Sequence, residues 1–272
     1  VAALPALVAG LQQRGVDFHL GVTTPGLLPA GPGCPGGAAG GEAGRLFPVD
    51  GSLPRWVAGR TADAAGKVQR LAQVGRRAQV ERGMEALQRA LSPPLVDGAD
   101  DPRTPQPLDG NAGFLRPDAS LAVLVVSDED DHSPGTVEGH ARFLAGLKGA
   151  GKGARTVVHA VVPAGAGCAT AGRTGGRWEA LVQRTLGELL AACAPDCAPL
   201  MARVGARAGA PADRFPLSYR PAPASVEVRV EGRVTQGFRC DPVFNEVIFG
   251  APPPQGSRVE VRYDRACGGA AP

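Results

Sequence analysis

The sequence predicts an α/β protein: a doubly wound, mainly parallel sheet, with a small antiparallel β module at its C-terminal end. Three observations carry this. Leu121–Val126 (LAVLVV) is continuously apolar, the pattern of a parallel strand buried on both faces, and Thr156–Val162 (TVVHAVV) reads as a second buried strand. A helical pattern lies between them, so the order is strand, helix, strand. After Phe215 the period changes: Val226, Val228 and Val230 alternate, then Val247 and Phe249, then Val259, Val261 and Tyr263. The expected domains are 1–205 and 216–268.

Each element has a local reason. Leu4, Leu7, Val8 and Leu11 share one helical face up to Arg14, and Gly15 ends it. Val16–Val22 (VDFHLGV) reads as a short strand of the same parallel sheet, with His19 as a core histidine. From Pro25 to Pro54 the composition turns to Gly, Pro and Ala, a long loop. Thr61–Leu91 reads as helix broken near Gly75, stopped by Pro93-Pro94. Helices are also expected over Val137–Leu147 and Arg177–Ala192.

Composition bounds the function. The 272 residues are 43% hydrophobic but only 4% aromatic, so the core must be built from Val, Leu and Ala. The 39 glycines have no three-residue period, which excludes collagen. No apolar run approaches the ~20 residues of a spanning helix. A net charge of +3, with no basic stripe interleaved with aromatics, argues against nucleic acid as a partner. The first residue is Val1, inside an apolar-periodic segment, so the natural chain is expected to begin further upstream.

Two motifs fail on inspection. Gly146-x-x-x-x-Gly151-Lys152-Gly153 has Gly where a phosphate loop needs Ser or Thr, and a helix precedes it where a strand should. It reads as a helix-to-strand turn. Asp131-His132-Ser133 are adjacent, and a catalytic triad is a spatial arrangement, so Ser133 reads as part of a Ser-Pro turn. The run Asp128-Glu129-Asp130-Asp131 is different. It follows a buried strand, where open α/β sheets place ligand sites, and carboxylates there suit Mg²⁺ or Ca²⁺. Asp128 is the expected metal ligand, with Glu129 and Asp130 as lesser candidates. Asp130 and Asp131 are expected to face solvent or to sit as helix N-terminal charges. The ordinary reading of the run is a solvated loop.

Six cysteines, none in a C-x-x-C zinc spacing, point to disulfides and export. Cys240 and Cys267 flank the last two strands of the β module and are the expected pair there. Cys168 and Cys193 bracket a loop and helix and form a second candidate pair. Cys34 and Cys197 are left as a third bridge or as free thiols. The alternative is six reduced, buried thiols.

Phe114-Leu115-Arg116-Pro117-Asp118-Ala119, then LAVLVV, then Ser-Asp-Glu-Asp-Asp, resembles a von Willebrand factor A-type domain, in particular exported bacterial versions, often lipoproteins, from myxobacteria and relatives. VDFHLGVTT resembles that family's second strand, Glu81–Leu87 the helix before its acidic strand, and Trp178–Cys193 its last helix. The resemblance spans residues 1–205. It implies a metal-ion-dependent adhesion site in which Asp128 matches the Asp after the fourth strand. The family's first strand and its Asp-x-Ser-x-Ser loop have no counterpart here. The Thr-bearing loop falls at 75–79, which reads Gly-Arg-Arg-Ala-Gln, with Arg76 and Arg77 set to repel a cation. Mg²⁺ or Ca²⁺ is therefore expected of a full-length protein and not of this chain alone.

The expected function is a non-enzymatic binding or adhesion module of the bacterial cell envelope, exported, with a protein or surface ligand as partner. A lipid anchor upstream of Val1 is compatible with it. The alternatives are a metal-dependent hydrolase using loop 128–131 and a purely structural envelope protein.

Overall fold

The computed structural model describes residues 2–27, 43–49, 54–74, 80–99, 110–117, 119–148, 156–164, 175–194, 196–208, 213–222, 224–242, 245–254 and 257–266. The chain forms two compact units, residues 1–143 with 157–209 and residues 144–156 with 210–272.

The first unit runs α1 (Leu4–Gln13), β1 (His19–Leu20), β2 (Val57–Ala58), α2 (Ala64–Leu71), α3 (Gly83–Ala90), β3 (Leu121–Val126), α4 (Val137–Gly146), β4 (Thr156–Val162), α5 (Gly176–Arg184), β5 (Leu189–Ala191) and α6 (Ala198–Ala208). Pro5 opens α1, where its missing N–H costs nothing. Gly15 follows it at φ +66°, the left-handed residue that ends many helices. Asp63 caps α2, its side chain accepting from Gly66 N–H at 3.2 Å. Leu7, Val8 and Leu11 of α1, Val68 and Leu71 of α2, and Leu200, Met201 and Val204 of α6 form the main core with Val161 of β4. Phe18 is its only buried aromatic among the described residues. Burial of each such Leu or Val contributes roughly 1.5–3 kcal/mol.

The sheet of this unit differs from the sequence expectation in its membership. It has three parallel strands in the order β3-β4-β5. LAVLVV and TVVHAVV are indeed neighbours. VDFHLGV is not with them: β1 pairs antiparallel with β2, His19 opposite Ala58 and Leu20 opposite Val57. Nor is LAVLVV buried on both faces. Among the described residues β3 has a neighbour on one side only, which makes it an edge strand, and Val126 is 68% exposed.

The expected helix over Arg177–Ala192 is also corrected. α5 stops at Arg184, and 189–191 return as β5, parallel to β4 with Ala160 opposite Leu189. Leu186 adopts φ +57° at the turn. Gly187 then passes so close to β4 that a Cβ there would lie 1.7 Å from Val158 O. Only glycine permits that approach. Helix α6 has no counterpart in the sequence expectation.

The second unit holds β6 (Arg214–Pro216), β7 (Glu227–Val230), β8 (Arg233–Thr235), β9 (Phe238–Asp241), β10 (Glu246–Phe249) and β11 (Val259–Arg262). They form two three-stranded antiparallel sheets, β6-β10-β9 and β11-β7-β8. Val228, Val247 and Phe249 are its buried centre. Phe215 meets Phe249 edge-on, with ring centroids 5.4 Å apart.

The cysteine expectations change accordingly. Cys240 carries a free thiol, and its expected partner Cys267 lies outside the described residues. Burial pushes the Cys240 thiol pKa up. Cys197 is free and Cys193 is disulfide-bonded. Cys34, Cys168 and Cys267 lie outside the described residues.

Candidate functional site

The acidic turn after β3 is where the sequence places a site, and the first unit builds two helix starts around it. Ser127 N–H donates to Val161 O at 3.1 Å, carrying the β3–β4 contact to the end of the strand. Ser127 Oγ then accepts Glu129 N–H at 3.1 Å, a local turn that competes well with extended backbone. The chain reverses and runs past the N-termini of α3 and α5.

Neither helix has a capping side chain of its own. Their first N–H groups are satisfied from the acidic turn instead. Asp131 Oδ1 accepts Met84 N–H at 2.9 Å, and Ser133 Oγ accepts Glu85 N–H at 2.8 Å. Asp130 accepts Arg177 N–H, at 3.0 Å to Oδ1 and 3.2 Å to Oδ2. Carboxylates at helix N-termini also interact favourably with the helix dipole. One run of acids therefore caps two helices remote in sequence.

Asp131 is the most committed of the four. Its side chain is wholly buried. It also accepts from Ser133 N–H at 3.0 Å and Ser133 Oγ–H at 2.8 Å, and pairs with Arg177 Nε at 3.3 Å. The same guanidinium donates through Nη2 to Ser133 O at 3.1 Å and Gly135 O at 3.2 Å. Trp178 packs over the start of α3: a Cβ on Gly83 would stand 2.6 Å from its ring.

Of the two expectations for Asp130 and Asp131, solvent-facing groups or helix N-terminal charges, the structure takes the second: Asp131 is buried, because the unpaired N–H groups of α3 need an acceptor there. Asp130 is half-buried and charges the N-terminus of α5. Asp128 and Glu129 are exposed, and the run as a whole is not a solvated loop. Ser133 is tied into this capping network, as its turn reading implies. His19 stacks on Trp56 with centroids 5.2 Å apart, in keeping with a packing role.

Glu81, Arg177 and Trp178 complete the site, and the sequence did not single them out for it. Ser127 Oγ lies 2.6 Å from Glu81 Oε2, and His132 N–H donates to Glu81 O at 2.8 Å. Burial raises the Glu81 carboxyl above its usual range. Asp128 and Glu129 add to the rise, while Ser127 and His132 oppose it. The only available signal was a Glu just ahead of an amphipathic helix and an Arg-Trp just after a Gly-rich loop, each dozens of residues from the acids.

The arrangement does not fit a divalent cation. Such ions take six or more oxygen ligands, carboxylates among them. The oxygens of Asp130 and Asp131 already accept N–H or O–H bonds, and an Arg177 guanidinium occupies the ground beside them. Among the described residues no group of three or more His, Cys, Asp or Glu is placed to hold a metal. Residues 75–79 and Gly151–Gly153 lie outside the described residues, and Gly146 ends α4. No helix among the described residues is long and apolar enough to cross a membrane. Comparison with protein-family models, curated proteins and solved structures found no match to this chain.

Proposed function

We propose that this chain is a non-enzymatic binding module of an exported bacterial envelope protein, a shortened variation on the von Willebrand factor A-type doubly wound sheet, recognising a protein or surface ligand. The observation that carries this reading is the construction of the acidic turn. Two helix N-termini and a buried Asp131–Arg177 pair hold its backbone, while Asp128 and Glu129 stand exposed at the carboxyl end of a parallel strand. Exposed charges on a rigid support are pre-organised, and binding then loses little conformational entropy. Their sign favours a basic partner surface.

The enzymatic alternative has less support: Ser133 Oγ–H is spent on Asp131. The test is a solid-phase binding assay of the full chain against fractionated bacterial envelope. Wild type should be retained, and a joint Asp128→Lys, Glu129→Lys variant should lose at least tenfold in affinity. Retention of both proteins alike would count against the turn. Hydrolysis of phosphoesters in Mg²⁺, abolished by Asp128→Ala, would establish the alternative.

A further inference from the structure

The surroundings of β3 fit its sequence poorly. All six of its residues are apolar, yet none is fully buried, and Ala122 and Val126 are exposed. Its neighbour β4 is buried at six of seven positions. The cause is the sheet order β3-β4-β5, which leaves β3 without a neighbour on one side among the described residues. Ser127 N–H donates to Val161 O at 3.1 Å, so Val123 and Val125, which share its phase, also turn their backbone groups toward β4. Ala122, Leu124 and Val126 turn theirs to the outer edge. The two exposed residues of the strand are therefore two of the three whose N–H and C=O groups face outward. Sheet edges are commonly guarded by charge, by proline or by shortness. At the opposite edge β5 has only three residues, whereas β3 has six, with no charge and no proline.

Such an edge is extended by another strand, whose main-chain groups supply affinity and whose side chains supply specificity. The end of β3 says what charge that strand carries. The chain runs from Val126 through Ser127 into Asp128 and Glu129, both exposed, and Ser127 Oγ lies 2.6 Å from Glu81 Oε2. Burial raises the Glu81 carboxyl, and repulsion from Asp128 and Glu129 raises it further. A complementary strand is apolar along LAVLVV and cationic where it reaches this turn. A second copy of β3 does not meet that demand. Laid antiparallel about Leu124, it sets Ser120 opposite Asp128 and Ala119 opposite Glu129, and laid parallel in register it sets the acids against each other. We propose that the outer edge of β3 is a docking site for an extended apolar peptide of a partner protein, tipped with Lys or Arg, which adds a strand to the sheet and sets its cations against Asp128 and Glu129. This rests on the acidic turn being a binding surface and names the chemistry of its partner.

The probes are two fluorescein-labelled peptides, Lys-Lys-Val-Thr-Val-Thr-Val and Val-Thr-Val-Thr-Val-Lys-Lys, which offer the cations to the turn from an antiparallel and a parallel added strand. The full chain is expected to bind at least one of them in fluorescence anisotropy. Amide hydrogen exchange at Ala122, Leu124 and Val126, followed by NMR, should slow on binding. The joint Asp128→Lys, Glu129→Lys variant should lose at least tenfold in affinity. Val126→Pro removes a single outward N–H, a change that edge strands tolerate, and should weaken binding severalfold with a nearly unchanged melting curve. Binding of neither peptide overturns the proposal. So does binding that leaves exchange at the three amides unaltered. A dimer in sedimentation that Val126→Pro dissolves would also overturn it, by giving the edge to a second copy. Envelope retention lost in the Asp128→Lys, Glu129→Lys variant but kept in full by Val126→Pro would overturn this inference alone and leave the binding role of the turn standing.

Discussion

Arg177 Nε meets Asp131 Oδ2 at 3.3 Å across 46 residues of chain, with the carboxylate wholly buried and the guanidinium 30% exposed. The pair joins the starts of α3 and α5 to the end of β3, so the shape of the acidic turn depends on it.

Asp131→Ala leaves Met84 N–H, Ser133 N–H and the Arg177 guanidinium without their acceptor. Breaking one side of a buried pair costs about 3–5 kcal/mol. Asp131→Asn keeps an acceptor and should cost less, about 1–3 kcal/mol. Urea denaturation of both variants measures the difference, and a loss for the alanine variant no larger than that for a surface substitution would refute the capping role.

Gly187→Ala should be among the most damaging substitutions to one methyl group. Its Cβ would stand 1.7 Å from Val158 O, a backbone atom that cannot step aside without parting β5 from β4. A loss at the top of the usual range, about 3 kcal/mol, is expected. Thermal melting checks it; a near-normal midpoint would mean that the two strands do not approach so closely.

Glu81 sets a pH dependence with a definite sign. Its folded pKa is raised, so between the ordinary value of 4.5 and the raised one the folded state binds more protons than the unfolded state. Its contribution is therefore intact below pH 4.5 and is lost as pH rises through the folded pKa. Glu81→Gln, which keeps an acceptor for Ser127 Oγ–H, should be more stable than wild type at pH 7, with the gap closing as pH falls toward 4. Chemical denaturation at a series of pH values measures that gap, and a gap that widens in acid would reverse the sign argued here.

Mg²⁺ or Ca²⁺ should show no micromolar affinity for the chain, because two of the four acids in the run are spent on helix N-termini. Isothermal titration decides this. Tight binding abolished by Asp128→Ala would show that Asp128 and Glu129 recruit ligands from elsewhere.

The cysteines give a chemical readout. Without reductant, iodoacetamide should label Cys240, slowly, because burial keeps its thiolate fraction low. Cys193 should be labelled only after reduction. Mass spectrometry of the peptides distinguishes the two, and a Cys240 that resists labelling until reduced would restore a disulfide to the β module.

The sequence by itself determined the local elements whose signals are local. LAVLVV and TVVHAVV are strands because runs of mostly apolar, Val-rich residues suit a pleated, packed surface, and Val137–Gly146 is a helix between them. The stop of α1 at Gly15 was equally legible, as were β7, β10 and β11 of the strands after Phe215, while β8 and β9 were not. Tertiary structure alone decided how many neighbours each strand has. An apolar run reads the same whether it lies at the centre of a sheet or, as β3 does, at its edge, and β1 chose β2 as its partner from 37 residues away in register. The break between α5 and β5 was hidden because Leu189–Ala191 suits a helix as well as a strand, and only the contact of Gly187 with Val158 O forces the turn. Within the acidic turn the sequence offered Asp130 and Asp131 as solvent-facing groups or as helix N-terminal charges, and only the tertiary structure chose between them. Four carboxylates in a row have equal local claims to solvent, and what separated Asp131 from Asp128 was the unpaired N–H groups of α3, one of them on Met84, 47 residues earlier than Asp131.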